Sequence, residues 1–412
     1  MPNEKDRRIV RDLAKKVAEI ADHPDQERRR KLWFDHNALK LVKPPIFVSP
    51  EGAWAEMMPE SALVCEDAGM RGWERGLRMR IFAWENFRDD EVHDADVHVG
   101  YCVRQTGWGA EPEIIRGDTP RGAYKWKGVI RDVGDLAKLK KPTATHDPDG
   151  TRRNVETAQE LLGDILNVRV GGGYWWSLGI IGELAYLHGL EEVLLDMCGN
   201  PEFIHRAMSF MTDARVEWLE SLEAQGVLSL NNRNDYVGSG GFGFTDELPS
   251  PGYDGRARLK DMWGFCEAQE ISGVSPAMHG EFVLQYQMRI LKKFGLNCYG
   301  CCEPLHGKFD MILKIPGLRR ISISPWCDMR VAAEALKDDY VFSWKPNPSE
   351  VVVGEFNEDR LRDIIRNTLE IAKGCPVEMI LKDTHTCQNQ PERFTRWSEI
   401  AQEEAGRIAA MR

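Results

Sequence analysis

Six apolar runs in the second half of the chain each end in side chains able to do chemistry. The run 227–231 is followed by Asn232, Arg233, Asn234 and Asp235, and 262–267 closes on Glu267, with Gln269 and Glu270 next. The run 296–301 leads to Cys301, Cys302 and Glu303, and 319–324 to Trp326, Cys327 and Asp328. Lys345 and Asn347 follow 340–345, and Asp383, His385 and Cys387 follow 377–382. Thiolates and imidazoles brought from separate strands suit zinc, which takes tetrahedral sulfur and nitrogen donors. Cys301, Cys327 and His385 are the candidate ligands, with Cys387, Cys302 or Glu303 as the fourth. Two of them on one ion would hold their donor atoms roughly 3–4 Å apart. Cys298 is set aside, because an extended strand turns it away from Cys301. Glu267, Lys345 and His279, the last in the first turn of a helix, are the candidates for acid–base or nucleophilic work. Asn232, Asp235, Trp326 and Asn347 are the candidates for holding a substrate. His188 and His205 lie in helical patterns and read as structural, and the Trp175-Trp176 pair reads as packing at a strand end.

The elements that must position these groups alternate. Strands are expected at 46–49, 165–171, 227–231, 262–267, 296–301, 319–324, 340–345 and 377–382, with hairpin strands around 97–104. Helical spacing marks 5–22, 201–225, 277–294, 303–315 and 358–373. Pro201 stands in the first turn of its helix. Strand, helix and strand in this rhythm predict parallel βαβ units. The fold class is therefore α/β, a (β/α)8 TIM barrel with an N-terminal helical extension over 1–44 and a single barrel domain over 45–412. Nine strand candidates compete for eight places, and 227–231 and 262–267 contend for one of them. Between these two lies a Gly- and Pro-rich insertion, a length of loop that usually serves function. The segment 232–260 is expected to cover the C-terminal mouth as a lid, where a barrel keeps its active site. A Gly-rich turn with the dinucleotide-binding spacing is missing, which disfavours an open doubly wound sheet.

Composition narrows the function classes. The 412 residues carry 42% hydrophobic and 29% charged side chains and a formal net charge of −11. An acidic surface excludes nucleic acid as the expected partner. The charged N-terminus has no apolar signal region, and no run spans a membrane, so a cytoplasmic location is expected. The 10 cysteines are irregularly spaced and do not form a disulfide framework.

Three stretches carry a family resemblance. GELAYLHGLEEVLLDMCGNPEFIHRAM (182–208), SPAMHGEFVLQYQMRILKKFG (275–295) and KPPIFVSPEGAWAEMMPE (43–60) resemble the uroporphyrinogen decarboxylase superfamily. The resemblance implies a (β/α)8 barrel. Decarboxylases of the family carry an arginine-bearing segment after the first strand, whereas this chain reads FVSPEGAW there. A substrate with many carboxylates needs cationic partners, so this departure argues against it. The corrinoid-linked methyltransferase branch holds zinc through His-x-Cys-Gly and a late cysteine. Tyr299-Gly300-Cys301-Cys302 and ILKDTHTCQ (380–388) match that pattern in part, with Tyr299 for the histidine and His385 near the late cysteine.

The resemblance implies a methyltransferase moving a methyl group between a small methylated substrate and a corrinoid protein or a thiol acceptor, with zinc as the metal. The partners expected are the small methyl donor or acceptor, a separate corrinoid protein, and a second copy of the chain in a homodimer. Trp326, Trp344 and Phe242 are the expected apolar rim for the corrinoid protein. The alternative is a uroporphyrinogen-decarboxylase-like lyase on a small carboxylate, with Lys345 or Arg233 binding the carboxylate.

Overall fold

A computed structural model describes residues 3–117 and 124–411. Its centre is a six-stranded parallel sheet. In chain order the strands of the structure are β1 (Ile46–Val48), β2 (Asp96–Gly100), β3 (Val103–Gln105), β4 (Glu113–Arg116), β5 (Tyr124–Lys127), β6 (Ala144–His146) and β7 (Asn167–Gly171). They continue with β8 (Trp263–Cys266), β9 (Leu296–Tyr299), β10 (Leu318–Ile323), β11 (Val341–Trp344) and β12 (Val377–Leu381). The six-stranded sheet runs β1-β12-β11-β10-β9-β8, so the first strand pairs with the last. β2 and β7 form a second parallel sheet, while β3–β6 and β4–β5 are small antiparallel pairs.

The contest between 227–231 and 262–267 falls to the latter. β8 is a strand, and 227–231 runs beside it without a ladder. Asn231 stands in for a peptide there: its Nδ2 donates to the Trp263 carbonyl (3.1 Å) and its Oδ1 accepts from the Trp263 N–H (2.8 Å). At the far edge, the N–H groups of Ile46 and Val48 donate to Asp90 (3.1 Å) and Asp89 (2.9 Å). Backbone groups at both sheet edges are thus satisfied by side chains, as burial demands. The expected hairpin around 97–104 is absent: β2 pairs in parallel with β7, and β3 pairs with β6.

The long helices follow their sequence signals. Pro201–Gln225 starts with Pro at its first turn and stops at Gly226, which adopts φ +70°. Glu358–Ile371 is capped by Asn357 and turns Leu361, Ile365 and Leu369 inward at helical spacing. The expected helix 277–294 runs without a gap over Pro276–Leu291, with a π segment at Gly280–Leu284, whereas 303–315 is reduced to Phe309–Ile312. Among the described residues no helix is long and apolar enough to cross a membrane.

One face of the large sheet carries an ionic cluster. Glu378 of β12 pairs with Arg320 of β10 at 3.0 Å, with His36 at 3.0 Å, and accepts from Ser343 of β11. Arg320 also donates to the Asn37 side chain (2.7 Å) and to the Phe242 carbonyl (3.1 Å). His36 and Asn37 end the helix Asp25–Asn37, so the N-terminal helices are tied to the sheet. Burial works to raise the Glu378 carboxyl, but Arg320, His36 and Lys345 overcome it and hold it down to about 2.

The expected lid is not a lid. Val237 to Thr245 are all buried, and the segment lies against the inward side chains of the sheet. A Cβ on Gly238 would meet Cys298, one on Gly240 would meet Ile380, and one on Gly241 would meet Glu378. These glycines adopt positive φ, and their missing side chains let the backbone approach the strands. The segment is a plug in the concave face, and its closing residues Phe242 and Phe244 pack on Trp33 and Phe34.

Glu378→Gln leaves Arg320 buried without its counter-charge. The expected loss is about 3–5 kcal/mol of unfolding free energy at neutral pH, measured by urea denaturation. Because the folded carboxyl titrates near 2 rather than 4.5, the wild-type advantage should persist above pH 4.5 and fade as pH falls towards 2.

Candidate functional site

The carboxyl ends of β8, β9 and β12 bring a small set of reactive groups together. β9 ends at Tyr299, and Gly300 follows at φ +86°, which breaks the strand alternation. Cys298 lies under Gly238, and the turn at Gly300 brings Cys301 to the residue beside it, Ser239. The sequence expectation that Cys298 and Cys301 diverge is therefore corrected: alternation holds only while the strand continues. Ser239 Oγ lies 3.2 Å from Cys301 Sγ, Cys302 Sγ lies 3.6 Å away, and Lys382 Nζ lies 3.8 Å away. Lys382 also reaches Ser239 (3.3 Å), Asp383 (3.3 Å) and Glu51 (3.9 Å).

This environment acidifies one thiol. The hydrogen bond from Cys302 is the largest influence on Cys301; burial opposes it, Lys382 and Ser239 add to it, and the thiol falls to about 7. Cys302, which donates, is pushed upward. Burial disfavours the Lys382 ammonium, but Tyr236, Cys301, Asp383 and Glu51 outweigh it and raise the pKa. Cys301 is thus substantially thiolate at neutral pH, the reactive form of cysteine.

Glu267 closes β8 as expected. Burial, then the neighbouring Glu270, Glu303 and Cys301, raise its carboxyl to about 8, so it is mostly protonated at neutral pH. Glu303 is a clamp: one oxygen accepts from Ala268 N–H (2.9 Å) and the other from Cys301 N–H (2.8 Å). Lys345 is buried beside Ser343, to which it donates, and burial lowers its pKa to about 8.

A cavity of about 450 Å³ adjoins the cluster at the seam between β7 and β8. Its walls include Trp176, Tyr236, Gly238, His98 and Asp235, and among the described residues no lysine or arginine lines it. Trp176 is 46% and Tyr236 41% exposed, and Lys382 Nζ lies 5.7 Å from the Trp176 ring centroid. Burial raises the Asp235 carboxyl. Ser239, Lys382, Trp176 and Tyr236 were not among the sequence candidates, although Lys382 is the final residue of the expected strand 377–382.

Other candidates lie apart from this cluster. His279 packs outside it, with Nε2 2.9 Å from the Tyr299 hydroxyl, and burial lowers its pKa to about 3. Asn232 braces the plug by donating to the Leu248 carbonyl at 2.6 Å. Asn347 accepts from the Ser349 N–H (3.0 Å) just ahead of the helix Ser349–Val352. Trp344 and Phe242 are buried and Trp326, though exposed, lines a different cavity, so the expected rim is not formed by these three.

The expected metal ligands are not gathered. Cys327 lies 3.8 Å from the Asp328 carbonyl, Cys387 donates to Glu56 at 3.1 Å, and His385 is exposed beside Gly52. Burial raises both of these thiols to about 11, which disfavours the ligating thiolate. Among the described residues no three His, Cys, Asp or Glu side chains converge as a metal site. The donor set does not fit zinc, and Lys382 supplies the positive charge beside Cys301.

Iodoacetamide labelling of Cys301, followed by peptide mass spectrometry, should rise with a midpoint near pH 7. In Lys382→Met the midpoint should move up by roughly one unit, since the thiolate loses its cation. An unchanged midpoint would show that Lys382 does not activate the thiol.

No protein-family model matches the chain, and no curated protein sequence matches it. Solved structures that match in fold include a methyltransferase from Methanosarcina mazei, with a TM-score of 0.51 at 11% sequence identity. The match covers 91% of this chain and 98% of that one, so the two share a fold along nearly their whole length.

Proposed function

We propose that the chain is a methyltransferase on a closed (β/α)8 barrel, in which a small methylated molecule occupies the 450 Å³ cavity and Cys301 faces its methyl group. The barrel reading is supported by the pairing of β1 with β12 and by the side-chain bridges at the open seams. In this reading residues 1–44 are an extension closing the amino-terminal end, 45–412 are the barrel, and the protein works in the cytoplasm.

The observation that carries the proposal is the Cys301 thiolate beside an aromatic cavity that no lysine or arginine lines. A thiolate is a strong nucleophile towards a methyl carbon. The sulfur lone pair forms the new S–C bond while the bond from the methyl carbon to the donor heteroatom breaks. The departing heteroatom keeps that electron pair and takes a proton from Glu267, which is protonated at neutral pH. Lys382 holds the resting thiolate, and Glu303 fixes the Cys301 backbone. The cavity wall excludes bulk water around the methyl group.

A separate corrinoid protein is the proposed acceptor. Presented at the mouth in its reduced form, the corrinoid would supply a methyl-accepting centre, and as the S–C bond broke Cys301 would keep the electron pair and return to the thiolate that Lys382 holds. The half-exposed Trp176 and Tyr236 form an apolar border that fits such a face. No step runs through zinc, because the donors are dispersed.

The lyase alternative needs a cation for the carboxylate. Arg233 is engaged by the carbonyls of Asn232 (3.0 Å) and Thr245 (2.7 Å), and Lys345 by Ser343, and neither lines the cavity. The methyltransferase reading is therefore preferred.

The test incubates the purified chain with candidate methyl donors, alone and with a reduced corrinoid. Alone, the expected result is a single methyl group on Cys301 without turnover, read as a mass increase on its peptide; added corrinoid restores turnover. Cys301→Ser should lose at least 100-fold in rate, in line with losing a nucleophile, a loss on the order of 2–3 kcal/mol in the barrier or more. Carbon dioxide release from a carboxylate substrate without corrinoid would overturn the reading.

A further inference from the structure

The proposed transfer gives Cys302 no chemical step, yet its sulfur lies 3.6 Å from that of Cys301. Both are free thiols. Their surroundings differ. Cys301 is buried, with Ser239 Oγ at 3.2 Å and the Lys382 ammonium at 3.8 Å. Cys302 is half-buried and keeps part of its surface in solvent, and its sulfur lies 3.7 Å from a carboxylate oxygen of Asp383. The Cys301 backbone is held from both sides: its N–H donates to Glu303 (2.8 Å) and its carbonyl accepts from Ser322 (3.0 Å).

Electrostatics gives the two sulfurs different roles. Cys301 is substantially thiolate at neutral pH. The hydrogen bond to Cys301, burial, and the charges of Cys301 and Asp383 together keep Cys302 protonated. Elsewhere burial holds thiols in the inert form, raising Cys65 to about 12 and Cys327 and Cys387 to about 11. A thiolate reacts with peroxide where a thiol does not, and a second thiol beside it resolves the product. The pair 301–302 supplies both members within one bend of the chain.

We propose that Cys301 and Cys302 are an oxidative modification site, a dithiol in which a peroxide oxidises Cys301 and Cys302 then closes a disulfide onto it. The Cys301 sulfur attacks one peroxide oxygen. The O–O bond breaks, and the other oxygen leaves with the bonding pair as hydroxide and takes a proton from solvent. Cys301 is then a sulfenic acid. The Cys302 sulfur attacks the Cys301 sulfur, the S–O bond breaks, and the departing hydroxide takes the Cys302 proton. The two sulfurs together have lost two electrons, and both peroxide oxygens leave as water. Closure draws Cys302 towards a fixed Cys301, in a bend that has left the sheet after Gly300 at φ +86°. Adjacent residues have Cα atoms about 3.8 Å apart, less than the roughly 4.4–6.8 Å that a disulfide prefers. The ring is therefore strained and readily reduced, which makes the modification reversible. The disulfide removes the nucleophile of the proposed transfer, but its formation does not depend on the methyltransferase reading.

The test treats the purified full chain with a small excess of hydrogen peroxide at neutral pH. The protein is then denatured, alkylated with iodoacetamide and digested, and the tryptic peptide 294–308 is mapped by mass spectrometry. That peptide carries Cys298, Cys301 and Cys302. Without peroxide all three should be alkylated. After peroxide only Cys298 should be, with the unlabelled pair lighter by about 2 Da for the hydrogens lost. Dithiothreitol should restore all three labels. In Cys302→Ser the hydroxyl keeps a donor for Cys301 but cannot resolve it. Dimedone present during oxidation should therefore trap the Cys301 sulfenic acid at least about fivefold more than in the wild type. In Cys301→Ser the Cys302 thiol should survive the same dose and take its label. The proposal is overturned if Cys302 of the wild type keeps its label, or if the disulfide joins either sulfur to another cysteine. Equal dimedone capture in the wild type and Cys302→Ser, or oxidation of Cys302 in Cys301→Ser, would overturn it as well. Where a variant does not fold, the wild-type label pattern decides.

Discussion

The ion pair between Arg320 and Glu378 is the constraint on which the interior depends. Two opposite charges held out of water must be close and fully hydrogen-bonded, or they cost more than they return. Arg320 pairs with Glu378 at 3.0 Å and donates to Asn37 and the Phe242 carbonyl, while its Nε lies close to Glu378 without hydrogen-bond geometry. The same contacts fasten the helix Asp25–Asn37 and the plug 237–245 to β10, β11 and β12. With one end of the concave face filled by this cluster and by Phe242 and Phe244, space remains only towards the carboxyl ends of the strands. Cys301 and the cavity at the seam between β7 and β8 occupy that space.

Two lysines on adjacent strand ends show how position divides chemistry. Lys345 is buried with Arg320 and Lys382 as like charges, and its pKa falls to about 8. Lys382 is buried too, yet Tyr236, Cys301, Asp383 and Glu51 surround it and its pKa rises. The second lysine is therefore a fixed cation beside a thiol, which is what thiolate formation needs. A divalent metal would do the same for a set of gathered thiols, but here Cys327 and Cys387 are spent elsewhere, on the Asp328 carbonyl and on Glu56.

The strands were legible because parallel strands covered on both faces read as short apolar runs. Seven of the expected eight agree with the structure to within two residues at either end. The run 227–231 misled because it is equally apolar; what denies it a ladder is the Asn231 side chain, which takes the backbone groups of Trp263 itself. At the site, Cys301 and Glu267 were found because they close expected strands. Lys382 closes its strand in the same way, but the metal-capable side chains just beyond it, Asp383, His385 and Cys387, offered the stronger signal. Ser239 carried no signal at all: it belongs to a Gly-rich segment whose path through the interior is set by tertiary contacts. The choice between lid and plug was equally hidden, since glycines serve a mobile cover and a close backbone approach alike.

The cavity between β7 and β8 follows from the seam it adjoins. A continuous ladder would hold β7 and β8 about 4.8 Å from a shared neighbour along their whole length. Here the neighbour, 227–231, is tied to β8 through Asn231 and to the end of β7 through Ser229 and the Gly172 N–H at 2.8 Å, with the Tyr174 hydroxyl donating to the Val227 carbonyl at 2.9 Å. Beyond that point Gly171, Gly172 and Gly173 bring no side chains to fill the gap, and the chains part around the cavity. The opposite wall is rigid, since Glu303 binds the ends of β8 and β9 together and fixes Cys301. A loosely laced seam therefore faces a tightly clamped thiol. Changes along the seam can reshape the cavity while the geometry around Cys301 stays fixed, so what the cavity admits and how the thiol is activated are set by separate parts of the chain.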